Sequence, residues 1–316
     1  MRRRRAAPVP VPAVGTGTGV LLRRLELQVT RRLDGILQGD YQGLLPGPGS
    51  EPGEARVYQS GDDIRLMDWN VTARTGEAHV RTPIADRELE TWVVADLSAS
   101  LDFGTAKCEK RDLAVAAVAA VGHLTARVGN RCGALVVHAG GLESIPARPG
   151  RDHLMGLLHR VSTIPRTDGG GATELGGALA ACARMARRRG LVVVVSDFVG
   201  MSGWERPLRL LAGRHDVIAV EVLDPRELEL PDVGILSVVD PETGGHLEVQ
   251  TADRRLRERY AEAAERQRRE TAAAVGAAGA DHLVLRTDRD WLFDLVAFVD
   301  RRRRRRQAAP VAAGRP

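Results

Sequence analysis

From residue 91 to residue 300 the chain alternates short apolar runs with stretches of helical period, and this alternation restricts the fold more than any other feature. Candidate strands are Trp92 to Ala95, Gly133 to His138, Leu191 to Ser196, Val217 to Val222 and His282 to Arg286. Helical stretches fall between and after them at Lys110 to Arg127, Arg151 to Val161, Glu174 to Arg188, Trp204 to Leu211, Arg254 to Val275 and Asp290 to Arg301. Strands separated in this way form a mostly parallel sheet with helices on both faces, so the expected class is α/β and doubly wound. Leu236 to Val249, interrupted by Pro241-Glu242-Thr243-Gly244-Gly245, reads as an inserted β-hairpin.

The first 90 residues follow a different pattern. Residues 1–19 are rich in Pro, Gly and Arg and cannot bury a core, so they read as a disordered tail. Leu21, Leu22, Leu25, Val29, Leu33, Ile36 and Leu37 recur at helical spacing and predict an amphipathic helix ending near Gly39. Short candidate strands at Ala55 to Tyr58, His79 to Arg81 and Ile84 to Leu89, joined by turn-rich segments, complete a small β-rich subdomain over 20–90. Residues 301–316 begin with Arg301 to Arg306 and read as a second disordered tail. These terminal runs hold ten of the 46 basic residues, which leaves 36 against 41 acidic residues and makes the body mildly acidic. Aromatic residues are 3% of the chain and absent from the runs, so base stacking has no platform there.

Chemistry gathers where three of these segments end. In an open α/β sheet, ligands bind outside the carboxyl ends of parallel strands. Asp96-Leu97-Ser98-Ala99-Ser100 follows the buried strand Trp92 to Ala95, and aims one carboxylate and two hydroxyls at one place. Thr173, in Gly169-Gly170-Gly171-Ala172-Thr173-Glu174, and Asp197, closing Leu191 to Ser196, fit the same place. Five oxygen-bearing side chains suit a hard divalent cation such as Mg²⁺. Neutral hydroxyls hold such an ion without cancelling its charge, so an open position attracts an anionic oxygen, most simply a carboxylate on a partner protein. Each piece alone is also ordinary turn chemistry: Ser98 or Ser100 as a helix cap, Thr173 in a Gly-rich turn, Asp197 in an Asx-turn. Their joint occurrence in this order favours the metal site.

The three elements resemble the metal-ion-dependent adhesion site of von Willebrand factor A-like domains. Upstream, Tyr58-Gln59-Ser60-Gly61-Asp62-Asp63-Ile64-Arg65-Leu66-Met67-Asp68-Trp69-Asn70-Val71-Thr72-Ala73-Arg74, followed by Glu88, resembles the signature of the bacterial family known as domain of unknown function 58. The resemblance covers roughly residues 20 to 300. It implies an A-domain fold with Asp96, Ser98, Ser100, Thr173 and Asp197 in the family's metal-site positions. It also implies a MoxR-type AAA+ ATPase as partner, in systems likened to metal-insertion or complex-assembly chaperones. Many members carry two transmembrane helices near the N terminus; this chain departs from that pattern.

Other candidates carry less. Gly61-Asp62-Asp63 with Arg65, Asp68 and Arg74 could form a second acidic site, but aspartates beside arginines read as ion pairs, with Trp69 and Tyr58 anchoring the small subdomain against the sheet. Gly15-Thr16-Gly17-Thr18-Gly19 follows a proline-rich tail rather than a strand, and Gly169 to Gly177 lacks the Lys-Ser/Thr of a phosphate loop. Haloacid-dehalogenase-like phosphatases need a second carboxylate where Ser98 stands, and no Gly-x-Ser-x-Gly elbow occurs. Cys108, Cys132 and Cys182 show no metal or disulfide spacing, which points to a reducing compartment. No apolar run approaches the roughly 18 to 20 residues of a membrane span, and no signal-peptide region follows Met1. The expectation is a cytoplasmic, non-enzymatic module that binds Mg²⁺ or another divalent cation and engages a protein carboxylate, with a metal-dependent hydrolase or phosphatase at the same loops as the alternative.

Overall fold

The computed structural model describes residues 55–59, 64, 67–81, 89–126, 130–166, 174–200, 203–239 and 245–308. The tail over 1–19, the helix expected over 21–37, the strand expected at 84–89 and the Gly61-Asp62-Asp63 cluster lie wholly or almost wholly outside these residues.

The small N-terminal unit is built on capping and a short ribbon. β1 (Ala55–Val57) and β2 (His79–Arg81) pair antiparallel, with α1 (Trp69–Thr75) between them. Asp68 caps α1 by accepting from the backbone N–H groups of Asn70 and Val71 at 3.1 and 3.2 Å. Gly76, at φ 74°, ends the helix in the left-handed conformation that only glycine adopts without strain. The expectation that Trp69 anchors this unit is corrected, because its side chain is 70% exposed.

The remaining elements are β3 (Glu90–Asp96), α2 (Lys110–Ala126), β4 (Arg131–His138), β5 (Gly141–Arg148), α3 (Arg151–Ser162), α4 (Leu175–Met185), β6 (Leu191–Ser196), α5 (Glu205–Ala212), β7 (Asp216–Leu223), β8 (Ile235–Val239), β9 (His246–Gln250), α6 (Arg254–Ala277), β10 (Asp281–Arg286) and α7 (Trp291–Ala308). Six strands form one sheet in the order β10-β7-β6-β3-β4-β5. All neighbours run parallel except β5, which returns antiparallel along β4. β8 and β9 pair antiparallel as a separate ribbon.

This is the doubly wound order, with the chain reversing direction across the sheet at β3. Val93, Ala95, Val193 and Val195 point to one face, which is packed by α2, α3 and α7. Trp92, Val94, Val192 and Val194 point to the other, packed by α4, α5 and α6. Strands covered on both sides need apolar residues at every position, which is why β3 and β6 show no alternation. α2 is buried along almost its whole length, and a helix apolar all round belongs in a core.

β5 was not anticipated. Its side chains alternate between exposed and half-buried, and it carries Pro146, which is tolerated only at a sheet edge. α7 also differs from expectation, running on to Ala308 where a disordered tail was expected from residue 301. Arg302 explains this: its side chain is buried and pairs with Asp216 at the start of β7 and with Asp281 at the start of β10, the latter at 2.6 Å. A run of six arginines therefore hides one that fastens the last helix to two strands. Among the described residues no helix is long and apolar enough to cross a membrane.

Candidate functional site

Register places the site. β3 pairs with β4 through Asp96↔Val137 on one side and with β6 through Ala95↔Val195 on the other. Asp96 and Asp197 therefore emerge side by side at the carboxyl edge, where the winding reverses. Asp96 is fully buried, and its Oδ1 accepts from the Ser98 N–H at 3.0 Å. Its Oδ2 accepts from the Ser196 hydroxyl at 2.8 Å. The turn after β3 brings the Ser98 and Ser100 hydroxyls within 3.0 Å of each other. Asp96 thus closes β3, Ser98 and Ser100 lie on the turn after it and Asp197 on the adjoining end of β6, while Thr173 lies outside the described residues.

The electrostatics of the two carboxylates differ. Burial, and secondarily the charge of Asp197, push Asp96 up to about 6, partly offset by its hydrogen bonds from Ser98 and Ser196. No cation faces Asp96 among the bonds described. Asp197 accepts from the Val199 N–H at 3.2 Å through Oδ1 and from the Lys110 ammonium at 2.8 Å through Oδ2. Lys110 also pairs with Glu227, which follows β7. Burial pulls the ammonium down, but Asp197 and Glu227 outweigh it and hold Lys110 above its ordinary value, so it is charged.

The surrounding loops are fixed from below. The buried Asp224 carboxylate accepts from the Thr105 hydroxyl and N–H at 2.6 and 2.9 Å, and from the Thr287 hydroxyl at 2.7 Å. It thereby ties the loop after β3 to the ends of β7 and β10. Arg111 donates to the Leu97 and Ile164 carbonyls at 2.9 and 3.2 Å and pairs with Asp102. After Asp197 the backbone enters the left-handed region at Phe198, φ 56°, a strained conformation for a bulky residue. The buried Phe198 ring packs on Trp204 with centroids 5.0 Å apart, and its N–H donates to Ser196 at 3.0 Å, so the strain is held in place. At the start of α4, a Cβ on Gly176 would stand 2.8 Å from the Gly203 carbonyl oxygen, so only glycine lets these segments meet.

Lys110, Glu227 and Ser196 were missed by sequence reasoning. A usable signal existed for the first, since Lys110 is one of only two lysines in an arginine-rich chain. Among the described residues no group of three or more His, Cys, Asp or Glu side chains could hold a metal. The candidate centre instead offers carboxylate and hydroxyl oxygens. That donor set is of the oxygen type a small hard cation takes, and the two serine hydroxyls, hydrogen-bonded to each other at 3.0 Å, stand close enough to meet one ion.

A doubly wound sheet with an antiparallel edge strand and Asp-x-Ser-x-Ser at its reversal point defines a von Willebrand factor A-like domain. Residues 54–270 match the family described as Protein of unknown function DUF58, and the chain belongs to that family. It is 55% identical over 283 residues to the uncharacterized protein Rv1480 of Mycobacterium tuberculosis, covering 90% of this chain and 89% of that one. It is 47% identical over 160 residues to the uncharacterized protein MAV169 of Mycobacterium avium, covering 51% of this chain and 94% of the relative. Among solved structures it resembles BatB from Bacteroides thetaiotaomicron, with 14% identity, a TM-score of 0.43, and coverage of 68% of this chain and 99% of that one. It also resembles the SpRpn10 VWA domain, with 12% identity, a TM-score of 0.37, and coverage of 66% and 94% respectively.

Proposed function

We propose that the chain is a non-enzymatic protein-interaction module that binds Mg²⁺, or another divalent cation, and uses it to engage a carboxylate on a partner protein. The observation that carries this reading is the buried Asp96 carboxylate, bonded among the described residues only by the Ser98 N–H and the Ser196 hydroxyl, beside the mutually hydrogen-bonded Ser98 and Ser100 hydroxyls. Asp96, Ser98 and Ser100 would hold the ion, with Thr173 and Asp197 completing its surroundings. When bound, the ion supplies a positive charge that neutral hydroxyls leave uncancelled.

The chain's own residues do the rest. Ser196 and the Ser98 N–H orient Asp96, Val199 N–H orients Asp197, and the Asp224 and Arg111 networks keep the loop after β3 from collapsing onto the site. Ser98 and Ser100 are themselves buried. Phe103 and Val199, on the two loops that carry the donors, are more than a third exposed and provide apolar contact around that point. The family resemblance makes a MoxR-like AAA+ ATPase the first partner to test, with the chain as its adaptor in protein or complex maturation, working in the cytoplasm.

The test is titration of that ATPase from the same organism against wild type and Ser98→Ala, each in Mg²⁺ and in EDTA, alongside phosphate release from ATP and phosphomonoesters. Binding that needs both the metal and Ser98, without turnover by the isolated chain, supports the module. Turnover abolished by Asp96→Asn supports the hydrolase alternative instead.

A further inference from the structure

Lys110 begins α2 with its side chain 1% exposed, although lysine is among the residues least often buried. Its ammonium is shared between Asp197 at 2.8 Å and Glu227, and lies 6.0 Å from the centre of the Phe103 ring. In a chain whose basic residues are otherwise almost all arginine, this position holds a compact point charge rather than a planar fork. Of the three carboxylates Asp96, Asp197 and Glu227, the ammonium thus pairs with the last two and not with Asp96.

We propose that Lys110 is a built-in counter-cation that competes with the divalent ion for Asp197 and thereby sets the metal affinity of the site. The inference rests on the metal-site reading above and goes beyond it. With the ammonium in place, Asp197 is neutralised from within the chain and both of its oxygens are engaged. A divalent ion arriving beside it meets a like charge one carboxylate away. Glu227 draws on the same ammonium from the other side, so the division of Lys110 between the two carboxylates fixes how much of the Asp197 charge faces the metal. Its hold is steady, because the other Glu227 oxygen accepts from the Asp224 N–H at 2.9 Å.

The two halves of this arrangement predict effects of opposite sign. Lys110→Met frees Asp197 and Glu227, and should tighten Mn²⁺ binding roughly tenfold or more, since one unit charge at that range is worth about that much against a divalent ion even at the dielectric constant of water. Glu227→Gln leaves the ammonium wholly to Asp197 and removes a negative charge, so it should weaken binding. If Lys110 merely props Asp197 in place, both substitutions weaken it.

The experiment is calorimetric titration of the full chain with MnCl₂ for wild type, Lys110→Met, Glu227→Gln and Asp96→Ala, with thermal melts in EDTA and in Mn²⁺. We expect tighter binding in Lys110→Met, weaker binding in Glu227→Gln and none in Asp96→Ala. The melting temperature of Lys110→Met should fall in EDTA and recover more in Mn²⁺ than that of wild type. Binding by Lys110→Met that is no tighter than that of wild type overturns the competition while leaving the metal site standing. If Lys110→Met does not fold in EDTA, Lys110→Gln takes its place, and binding no tighter than wild type there overturns the inference. No binding by wild type or Lys110→Met overturns the metal reading itself.

Discussion

Replacing Asp96 by asparagine separates the cost of its buried charge from the shape of its site. The carboxyl is fully covered, and its pKa is raised from 3.8 to about 6 by burial and then by Asp197. A group whose folded value lies above its unfolded one contributes stability in full below the unfolded pKa and loses it as the pH rises through the folded value. The metal-free protein should therefore lose about 3 kcal/mol from this group as the pH rises from below ~3 to above ~7, most of it between about pH 4 and pH 7. Asparagine removes that loss but keeps an oxygen for the Ser98 N–H. Its NH2 group can donate to the Ser196 oxygen but cannot accept from the Ser196 hydroxyl, which loses its acceptor at a cost of about 1 kcal/mol. Asp96→Asn should thus be about 2 kcal/mol more stable than wild type at pH 7.5 in EDTA, with the advantage gone near pH 4. Urea unfolding at both pH values measures it. A variant less stable than wild type at pH 7.5, or a difference that ignores pH, would refute the argument that Asp96 is an uncompensated buried charge.

Further outcomes follow from the same contacts. Arg302→Leu, or ending the chain at residue 300, should lower stability by about 2 to 3 kcal/mol in thermal melts, because it strands Asp216 and Asp281, and the partial exposure of both keeps the loss below that of a fully buried pair. Removal of Arg303 to Ala308 alone should cost much less. Asp224→Ala deletes the acceptor for Thr105 and Thr287 and should cost about 3 kcal/mol by urea unfolding, with hydrogen exchange rising first in the loop over residues 97–109.

What was legible in the sequence was the part fixed by periodicity and by local motif. Four of the five parallel strands could be found because burial on both faces forces unbroken apolar runs such as Leu191 to Val195, whereas β10, half-buried at the sheet edge, is marked only by the short run Leu283 to Leu285. Asp96, Ser98, Ser100 and Asp197 could be placed together because strand ends in such a sheet converge. The edge strand β5 was illegible because one face meets solvent and its composition, with Gly141, Ser144 and Pro146, is that of a turn. Lys110 and Arg302 were illegible for another reason. Each sits among other charged residues, and only tertiary structure shows that one lysine reaches Asp197, 87 residues away, and one arginine reaches Asp216, 86 residues away. Trp69 failed in the opposite direction, since its size suggested an anchor and α1 turns it outward.

The central claim is that the oxygens at the reversal of the sheet hold a divalent ion. Anomalous scattering from crystals grown with Mn²⁺ tests it most directly. The account predicts a peak about 2.0 to 2.3 Å from the Ser98 and Ser100 hydroxyl oxygens, next to Asp96, and no peak there in Asp96→Ala. Well-ordered Asp96, Ser98 and Ser100 side chains with no anomalous density among them, at Mn²⁺ concentrations that occupy sites elsewhere on the surface, would contradict it.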